Sequence, residues 1–215
     1  MNELSRRSLV GAVLVATALV TAVVGGYPFA ALVALAACAI FFEWRRMVAG
    51  WGLGWQLAGF VYALIPALAL LWIRDQAQSD GHPIGLELLV WVFITTWSVD
   101  IGAYFAGRTF GGPRLAPSIS PNKTWAGLAG GVVAATLFGA LWARTTGLPG
   151  SLLWLAPPLA LAAQGGDLFE SGLKRRAGVK DSGTWLPGHG GALDRLDGLV
   201  VVATLTAAAA LAGLL

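Results

Sequence analysis

Residues 171–197 concentrate charged side chains and a histidine in a chain that is otherwise apolar: 57% of the 215 residues are hydrophobic and only 12% are charged. Within this segment, Pro187-Gly188-His189-Gly190-Gly191 combines a histidine with three glycines, which let backbone approach a ligand closely. His189 has no second histidine or cysteine nearby, so the segment does not match a zinc site. The histidine is either a structural loop residue or a group that orients a phosphate or assists a leaving group.

A stripe of polar side chains precedes this segment on a predicted helix. Asp167, Glu170, Ser171 and Lys174 are spaced i, i+3, i+4 and i+7, so they share one helix face. Two acids, a hydroxyl and a lysine suit a hard divalent cation beside a phosphate, and magnesium needs few protein carboxylates. At the start of the last predicted helix, two more acids are natural partners of this stripe. The predicted metal ligands are Asp167, Asp194 and Asp197.

A second polar segment, residues 111–125, opens directly into a predicted helix. Hydroxyls, an amide, a lysine and free backbone N–H groups at a helix N-terminus favour polyphosphate binding. The segment lacks the Gly-Lys-Ser/Thr of a P-loop, and an ordinary capping loop with an anchoring lysine remains the alternative. Upstream, Asp100 interrupts an apolar helix either as a structural ion pair or as the polar wall of a site. The predicted phosphate-binding residues here are Ser118, Ser120, Asn122, Lys123 and Thr124.

The excess of basic residues gives a net charge of +3 and a pI near 9.4, but it does not predict a nucleic-acid partner. These cations lie in short segments between apolar stretches, where an anionic membrane leaflet attracts them. Lys174, Arg175, Arg176 and Lys180 could form such a membrane anchor. Their interleaving with acids favours a ligand site instead, because an anchor gains nothing from carboxylates.

The positioning elements are predicted to be membrane helices, since the mean hydropathy is +0.72. Residues 8–42 carry no charge and are interrupted by Gly25-Gly26-Tyr27-Pro28, which predicts two helices joined by a turn. A cleaved signal peptide near Ala16-Thr17-Ala18 is the alternative. Period-two alternation is absent, so the expected fold is an all-α polytopic bundle. Further spans are predicted at about 54–73, 86–107, 125–143, 152–169 and 198–215, giving about seven transmembrane helices.

The distribution of lysine and arginine gives an independent prediction of topology. With the N-terminus in the cytoplasm, only Arg74 and Arg144 of the 14 cationic side chains fall outside. Both polar segments then face the cytoplasm.

The segment 171–197 resembles the signature of phosphatidate cytidylyltransferases, also called CDP-diglyceride synthases. The match includes Ser171, Lys174-Arg175, Lys180-Asp181, the run from Leu186 to Gly191, Leu193-Asp194-Arg195 and Asp197 in order and spacing. Upstream it includes Asp100, Ala103-Tyr104, Gly107, Ser118 to Trp125, and Gly166-Asp167-Leu168 with Glu170. Departures are Ala126, where many relatives carry Glu, and Gly198, where many carry Ser.

The resemblance implies transfer of CMP from CTP to phosphatidate, giving CDP-diacylglycerol and pyrophosphate, with magnesium held by Asp167 and Asp194. A second metal ion is left open. We expect the lipid phosphate to attack the α-phosphorus while basic side chains neutralise charge. The expected catalytic residues are Asp167, Asp194, Lys174, Arg175 and His189, and the expected nucleotide ligands also include Lys180, Asp181 and Arg195.

The resemblance further implies a multi-pass protein of the inner or plasma membrane, with CTP, phosphatidate and membrane lipids as partners. The chain is short for the family, so we expect a variable N-terminal part, residues 1–80, with fewer helices and a retained catalytic half, residues 81–215. The many glycine and alanine positions favour a homodimer.

Two other classes of function remain open from the sequence. One is a related lipid enzyme, either a CTP-dependent lipid or polyprenol kinase or a cytidylyltransferase for an isoprenoid-ether lipid. The other is an ion channel or transporter, but apart from Asp100 and Asp167 the predicted helices are nearly free of charge.

Overall fold

In the computed structural model, residues 3–77, 83–185 and 190–215 are described, and they form a helical bundle with one small hairpin. The predicted helical class is therefore confirmed. The helices are α1 Glu3–Val24, α2 Gly26–Met47, α3 Leu53–Arg74, α4 Gly85–Phe110, α5 Trp125–Thr146, α6 Leu152–Arg176 and α7 Leu193–Leu211, and the strands are β1 Arg114–Ala116 and β2 Ser120–Thr124.

Four of these helices, α2 to α5, are long and apolar enough to cross a membrane. The apolar part of α1, Leu9–Val24, is shorter. The seven described helices agree with the expected helical bundle. That all seven cross the membrane and that the N-terminus is cytoplasmic stay predictions.

The predicted turn between the first two helices is confirmed at Gly25, which has a φ of 68°. Arg74, at the end of α3, donates from Nε to the Ala22 carbonyl at 2.6 Å and from Nη2 to the Val23 carbonyl at 3.2 Å. These carbonyls belong to the last turn of α1, where no intrahelical donor is available. Arg74 therefore fastens the first hairpin to α3.

The core lies where α4, α5, α6 and α7 meet, with Trp91, Leu152 and Val202 fully buried. The indole of Trp91 donates to the Gly139 carbonyl of α5 at 3.1 Å. On the same interface, a Cβ added at Gly131 would lie 2.8 Å from the Val99 carbonyl oxygen. Glycine thus lets α5 approach α4 closely, so at least some of the glycines that favoured a homodimer pack inside the chain.

A smaller cluster of buried residues joins α2 to the polar ends of α6 and α7. It includes Trp44 of α2, Leu173 of α6 and Leu193 of α7. This packing places the end of α2 against both helices that carry the predicted site.

One departure from the all-α expectation is the hairpin within residues 114–124, where an irregular loop was expected. β1 and β2 pair antiparallel, with Arg114 opposite Thr124 and Ala116 opposite Ser120. The pairing satisfies backbone groups that a loop would leave to solvent. Thr124 is also the N-cap of α5, because its Oγ1 accepts the Gly127 amide at 3.0 Å.

Candidate active site

Three carboxylates converge where the polar ends of α6 and α7 meet. Asp167 and Glu170, one turn apart on α6, and Asp197 of α7 each offer an oxygen, and these oxygens lie within 4.8 Å of one another. Glu170 is 2% exposed, and its Oε1 has no hydrogen-bond partner among the described residues. A buried, unsatisfied oxygen within a group of acids fits a hard cation such as Mg²⁺. We call these three residues the acidic cluster.

Glu170 and Asp197 lie just outside the predicted apolar spans 152–169 and 198–215, and Asp167 lies two positions inside the first span. Burial, followed by the charge of Asp167, raises the pKa of Asp197 to about 7 although the Gly198 amide donates to its carboxylate. Burial raises the pKa of Glu170 to about 8, against the opposing charge of Lys174. A bound cation would relieve both effects, since it favours the ionised carboxylates.

Lys123 brings the hairpin to the acidic cluster. It lies at the end of β2, and its ammonium forms an ion pair with Asp167 and donates to Gln164 Oε1 at 3.0 Å. Lys123 and Asp167 lie in separate sequence motifs that were predicted to form one site. The structure brings the two side chains into contact.

A cavity of about 570 Å³ opens beside this ion pair, between α4, the hairpin, α5 and α6. Asp100 lines it, which is the position expected of a polar wall. Arg108 also lines it and donates to the Tyr104 hydroxyl at 3.0 Å. Of the predicted phosphate-binding residues, Asn122, Lys123 and Thr124 line the cavity, whereas Ser118 and Ser120 are not among its lining residues.

Asp194, a predicted metal ligand, is engaged elsewhere. It pairs with Lys174 at 2.7 Å and accepts the amides of Ser182 at 2.9 Å and Gly191 at 2.8 Å. Burial opposes ionisation of Asp194, but the Lys174 and backbone hydrogen bonds lower its pKa below the ordinary value. The structure does not bring Asp194 into the acidic cluster, so its ligation of a metal stays a prediction.

Lys174 links Asp194 to the acidic cluster, because its ammonium also forms an ion pair with Glu170 at 3.1 Å. Arg175 is exposed and donates to the carbonyls of Ile119 and Val179, both at 3.3 Å. It therefore ties the hairpin turn to α6. Its predicted catalytic role, like that of Lys174, is not tested by these contacts.

The remaining predicted residues lie around the start of α7 and the preceding segment. Lys180 and Asp181 line a second cavity of about 400 Å³, together with Arg46 of α2. Arg195, near the start of α7, is exposed. The prediction for His189 lies outside the described residues.

One functional candidate was missed in the sequence. Glu43, near the end of α2, is fully buried and accepts hydrogen bonds from Ser182 Oγ at 2.8 Å and from the amides of Ala192 and Leu193, both at 2.9 Å. Its only signal in the sequence is an acid that directly follows an apolar run. The neighbouring Arg45 and Arg46 made it resemble an ordinary membrane-flanking residue.

The fold and site define the class: a multi-pass helical membrane protein with an acidic cluster, of which Asp167 lines a cavity together with Lys123. The family model described as "Cytidylyltransferase family" matches residues 51–212. The chain belongs to this family.

Relatives with an established name agree with this assignment. The chain is 48% identical over 177 residues to the phosphatidate cytidylyltransferase of Brucella suis biovar 1 (strain 1330), covering 80% of this chain and 61% of that protein. It is 36% identical over 189 residues to the phosphatidate cytidylyltransferase of Rickettsia bellii (strain RML369-C), covering 82% of this chain and 78% of that protein. The match to the phosphatidate cytidylyltransferase of Bacillus subtilis (strain 168) is 46% over 121 residues, 55% of this chain and 45% of that protein.

Proposed function

We propose that this chain transfers CMP from CTP to phosphatidate, giving CDP-diacylglycerol and pyrophosphate for phospholipid synthesis. The observation that carries the proposal is the acidic cluster of Asp167, Glu170 and Asp197, with Lys123 paired to Asp167 beside a cavity of about 570 Å³. Carboxylates for a cation and a lysine for phosphate are what a nucleotidyl transfer requires. The names of the relatives support the same substrates.

The reaction needs positioning more than a strong base. A phosphate oxygen of phosphatidate attacks the α-phosphorus of CTP, and a new P–O–P bond forms. The bond from the α-phosphorus to the bridging oxygen of the β-phosphate breaks, and pyrophosphate leaves with the electron pair. Because a phosphate dianion is already nucleophilic, the protein contributes by aligning the two phosphates and neutralising charge.

The acidic cluster has the ligand chemistry for Mg²⁺, namely clustered carboxylate oxygens of which one is buried without a partner. Bound there, magnesium would supply charge neutralisation on the triphosphate and the leaving pyrophosphate. We further propose Asp194 as a ligand and a second metal ion at this site. Lys123, Lys174, Arg175, Arg195 and His189 are the side chains proposed to hold or neutralise phosphate.

The proposed setting is a cell membrane, inner or plasma, with the site at its cytoplasmic face. CTP would enter from water, and phosphatidate would enter sideways, its phosphate at the headgroup plane and Asp100 at the polar wall of the cavity. We further propose that the protein has seven membrane spans and a cytoplasmic N-terminus and forms a homodimer. In this proposal residues 1–80 are a variable N-terminal part and residues 81–215 are the catalytic half.

The test is transfer of label by the purified protein in phosphatidate-containing micelles. With CTP labelled at the α-phosphate, we expect label in a lipid product that depends on phosphatidate and on Mg²⁺. Label from the γ-phosphate entering a polyprenol or another lipid alcohol would instead indicate a kinase. Preference for an isoprenoid-ether phosphate would identify the related cytidylyltransferase, and ion flux into vesicles without label transfer would indicate a channel.

A matched pair of variants locates the activity. Asp167→Asn keeps the size of the side chain but removes a charge from the acidic cluster, so turnover should be lost. Arg144→Ala removes an exposed charge in the last turn of α5 and should leave turnover unchanged. Equal losses in both folded variants would contradict the proposed site.

A further inference from the structure

A carboxylate outside the acidic cluster holds the segment that leads into α7, of which residues 180–185 and 190–197 are described. Glu43 lies on α2, before the residues that the family model matches, and is fully buried. Its Oε2 accepts from Ser182 Oγ and from the Leu193 amide, while its Oε1 accepts from the Ala192 amide. All three groups are donors, and they come from the described stretches 180–185 and 190–197.

The contact with α7 falls on groups that no intrahelical acceptor can satisfy. The first amides of a helix have no partner within it, and a negative charge near them is stabilised by the helix dipole. Ala192 is the N-cap residue of α7 and Leu193 is its first residue. Glu43 therefore acts as a cap supplied from another helix, and the capping acceptor is fixed by α2 rather than by the segment itself.

Two glycines leave room for this carboxylate. A Cβ added at Gly183 would overlap Glu43 Oε1, and one added at Gly191 would overlap both Glu43 Oε2 and Ser182 Oγ. Gly183 and Gly191 are themselves buried. The segment is thus closely fitted to Glu43 on both sides of its side chain.

Asp194 holds the same segment from the other direction. It accepts the Ser182 amide, and it also accepts the Gly191 amide while pairing with Lys174. Ser182 therefore binds Glu43 through its hydroxyl and Asp194 through its backbone. A shift at Glu43 would move Ser182 and the start of α7, and Asp197 of the acidic cluster lies one turn further along that helix.

We propose that Glu43 is a positioning residue for CMP transfer, which fixes the described parts of this segment, residues 180–185 and 190–197, in the arrangement that binds CTP. This inference rests on the proposed function. Glu43 touches neither substrate in this scheme, since all three of its hydrogen-bond donors belong to the segment that it holds. It acts through the groups that segment carries, namely Lys180 and Asp181 at the second cavity and Asp197 at the acidic cluster.

The experiment compares Glu43→Gln with Glu87→Gln, a control in the first turn of α4, in the purified protein in detergent micelles. Gln keeps the size of the side chain but presents an NH₂ group to one of the donors. We expect Glu43→Gln to lower kcat/KM for CTP by about a hundredfold, the scale of a small misplacement of reacting groups. KM for phosphatidate should stay unchanged, which a general loss of structure would not achieve.

A second measurement does not depend on activity. Hydrogen–deuterium exchange of the Ala192 and Leu193 amides should be about tenfold faster in Glu43→Gln than in the parent protein, as expected on losing a hydrogen bond to a charged group. Unchanged exchange would overturn the proposed contact. Faster exchange with unchanged CTP kinetics would overturn the positioning role. Failure of the parent protein to transfer CMP would refute the proposed function, while the exchange result would still judge the contact.

If Glu43→Gln does not fold, Gly191→Ala tests the same fit without changing the acid. Its Cβ would displace Ser182 and Glu43, so we expect the same loss in kcat/KM for CTP. Gly54→Ala, where a Cβ meets nothing within 4 Å, is the control. Normal CTP kinetics in Gly191→Ala would overturn the proposal.

Discussion

Replacing Lys174 by methionine tests whether one ammonium group holds the polar ends of α6 and α7 together. Lys174 pairs with Glu170 at 3.1 Å and with Asp194 at 2.7 Å, and the three side chains are 11%, 2% and 8% exposed. Methionine fills similar space without charge. Lys174→Met should therefore leave two buried carboxylates without their cation.

The cost falls unequally on the two acids. Asp194 keeps two backbone amide donors, Ser182 and Gly191, whereas Glu170 loses its only hydrogen-bond partner among the described residues. Removing one partner of a buried pair costs about 3–5 kcal/mol. For a chain of this length that corresponds to a fall in Tm of about 6–20 °C.

The assay is thermal unfolding of the purified protein in detergent above about pH 8, where Glu170 with its raised pKa is ionised, followed by fluorescence-detected size-exclusion chromatography. Adding Glu170→Gln to Lys174→Met should restore much of the lost Tm, because the orphaned charge is removed. Adding Asp194→Asn instead should restore less. A fall in Tm for Lys174→Met no larger than that for the exposed Arg144→Met, or equal rescue by the two second substitutions, would contradict this role of Lys174.

Two further predictions concern the hairpin and the pH dependence of the acidic cluster. Thr124→Ala removes the side-chain acceptor for the Gly127 amide and should lower stability by about 1 kcal/mol in thermal unfolding, whereas Thr124→Ser should keep it. Because the pKa of Asp197 is raised to about 7, its contribution to stability is present below the ordinary pKa near 4 and is lost as the pH rises through about 7. Thermal unfolding without divalent cations should therefore show Tm falling between about pH 4 and about pH 7. Mg²⁺ should raise Tm more at about pH 7.5 than at about pH 5, because it binds the ionised carboxylate. An equal rise in Tm at both pH values would contradict a cation at Asp197.

The sequence predicted the helical elements well because hydrophobic runs and glycine breaks are local signals. The break at Gly25 and the start of α5 at Trp125 lie where the pattern placed them. The hairpin at 114–124 was not predicted, since its strands are short and lack alternation. The number of membrane spans is harder to predict from the sequence than the helices themselves. The reason is that α6 and α7 carry the charged residues of the site and so differ from purely apolar helices.

The candidate site was predictable in composition but not in pairing. The i, i+3 spacing placed Asp167 and Glu170 on one face, and Asp197 joins them as expected. Spacing could not show that Asp194 turns to Lys174 and to backbone amides, because that depends on how the segment before α7 folds. Glu43 was missed because its partners are more than 130 positions away, so no local pattern links them.

The Mg²⁺ concentration that gives half-maximal CMP transfer tests most directly whether the acidic cluster holds the cation. Asp197→Asn should raise that concentration by at least about tenfold, since even residues around a metal ligand change affinity by that much. Asp75→Asn, on the exposed turn after α3, should leave it unchanged. An unaltered Mg²⁺ requirement in folded Asp197→Asn would contradict the claim that the acidic cluster holds the cation.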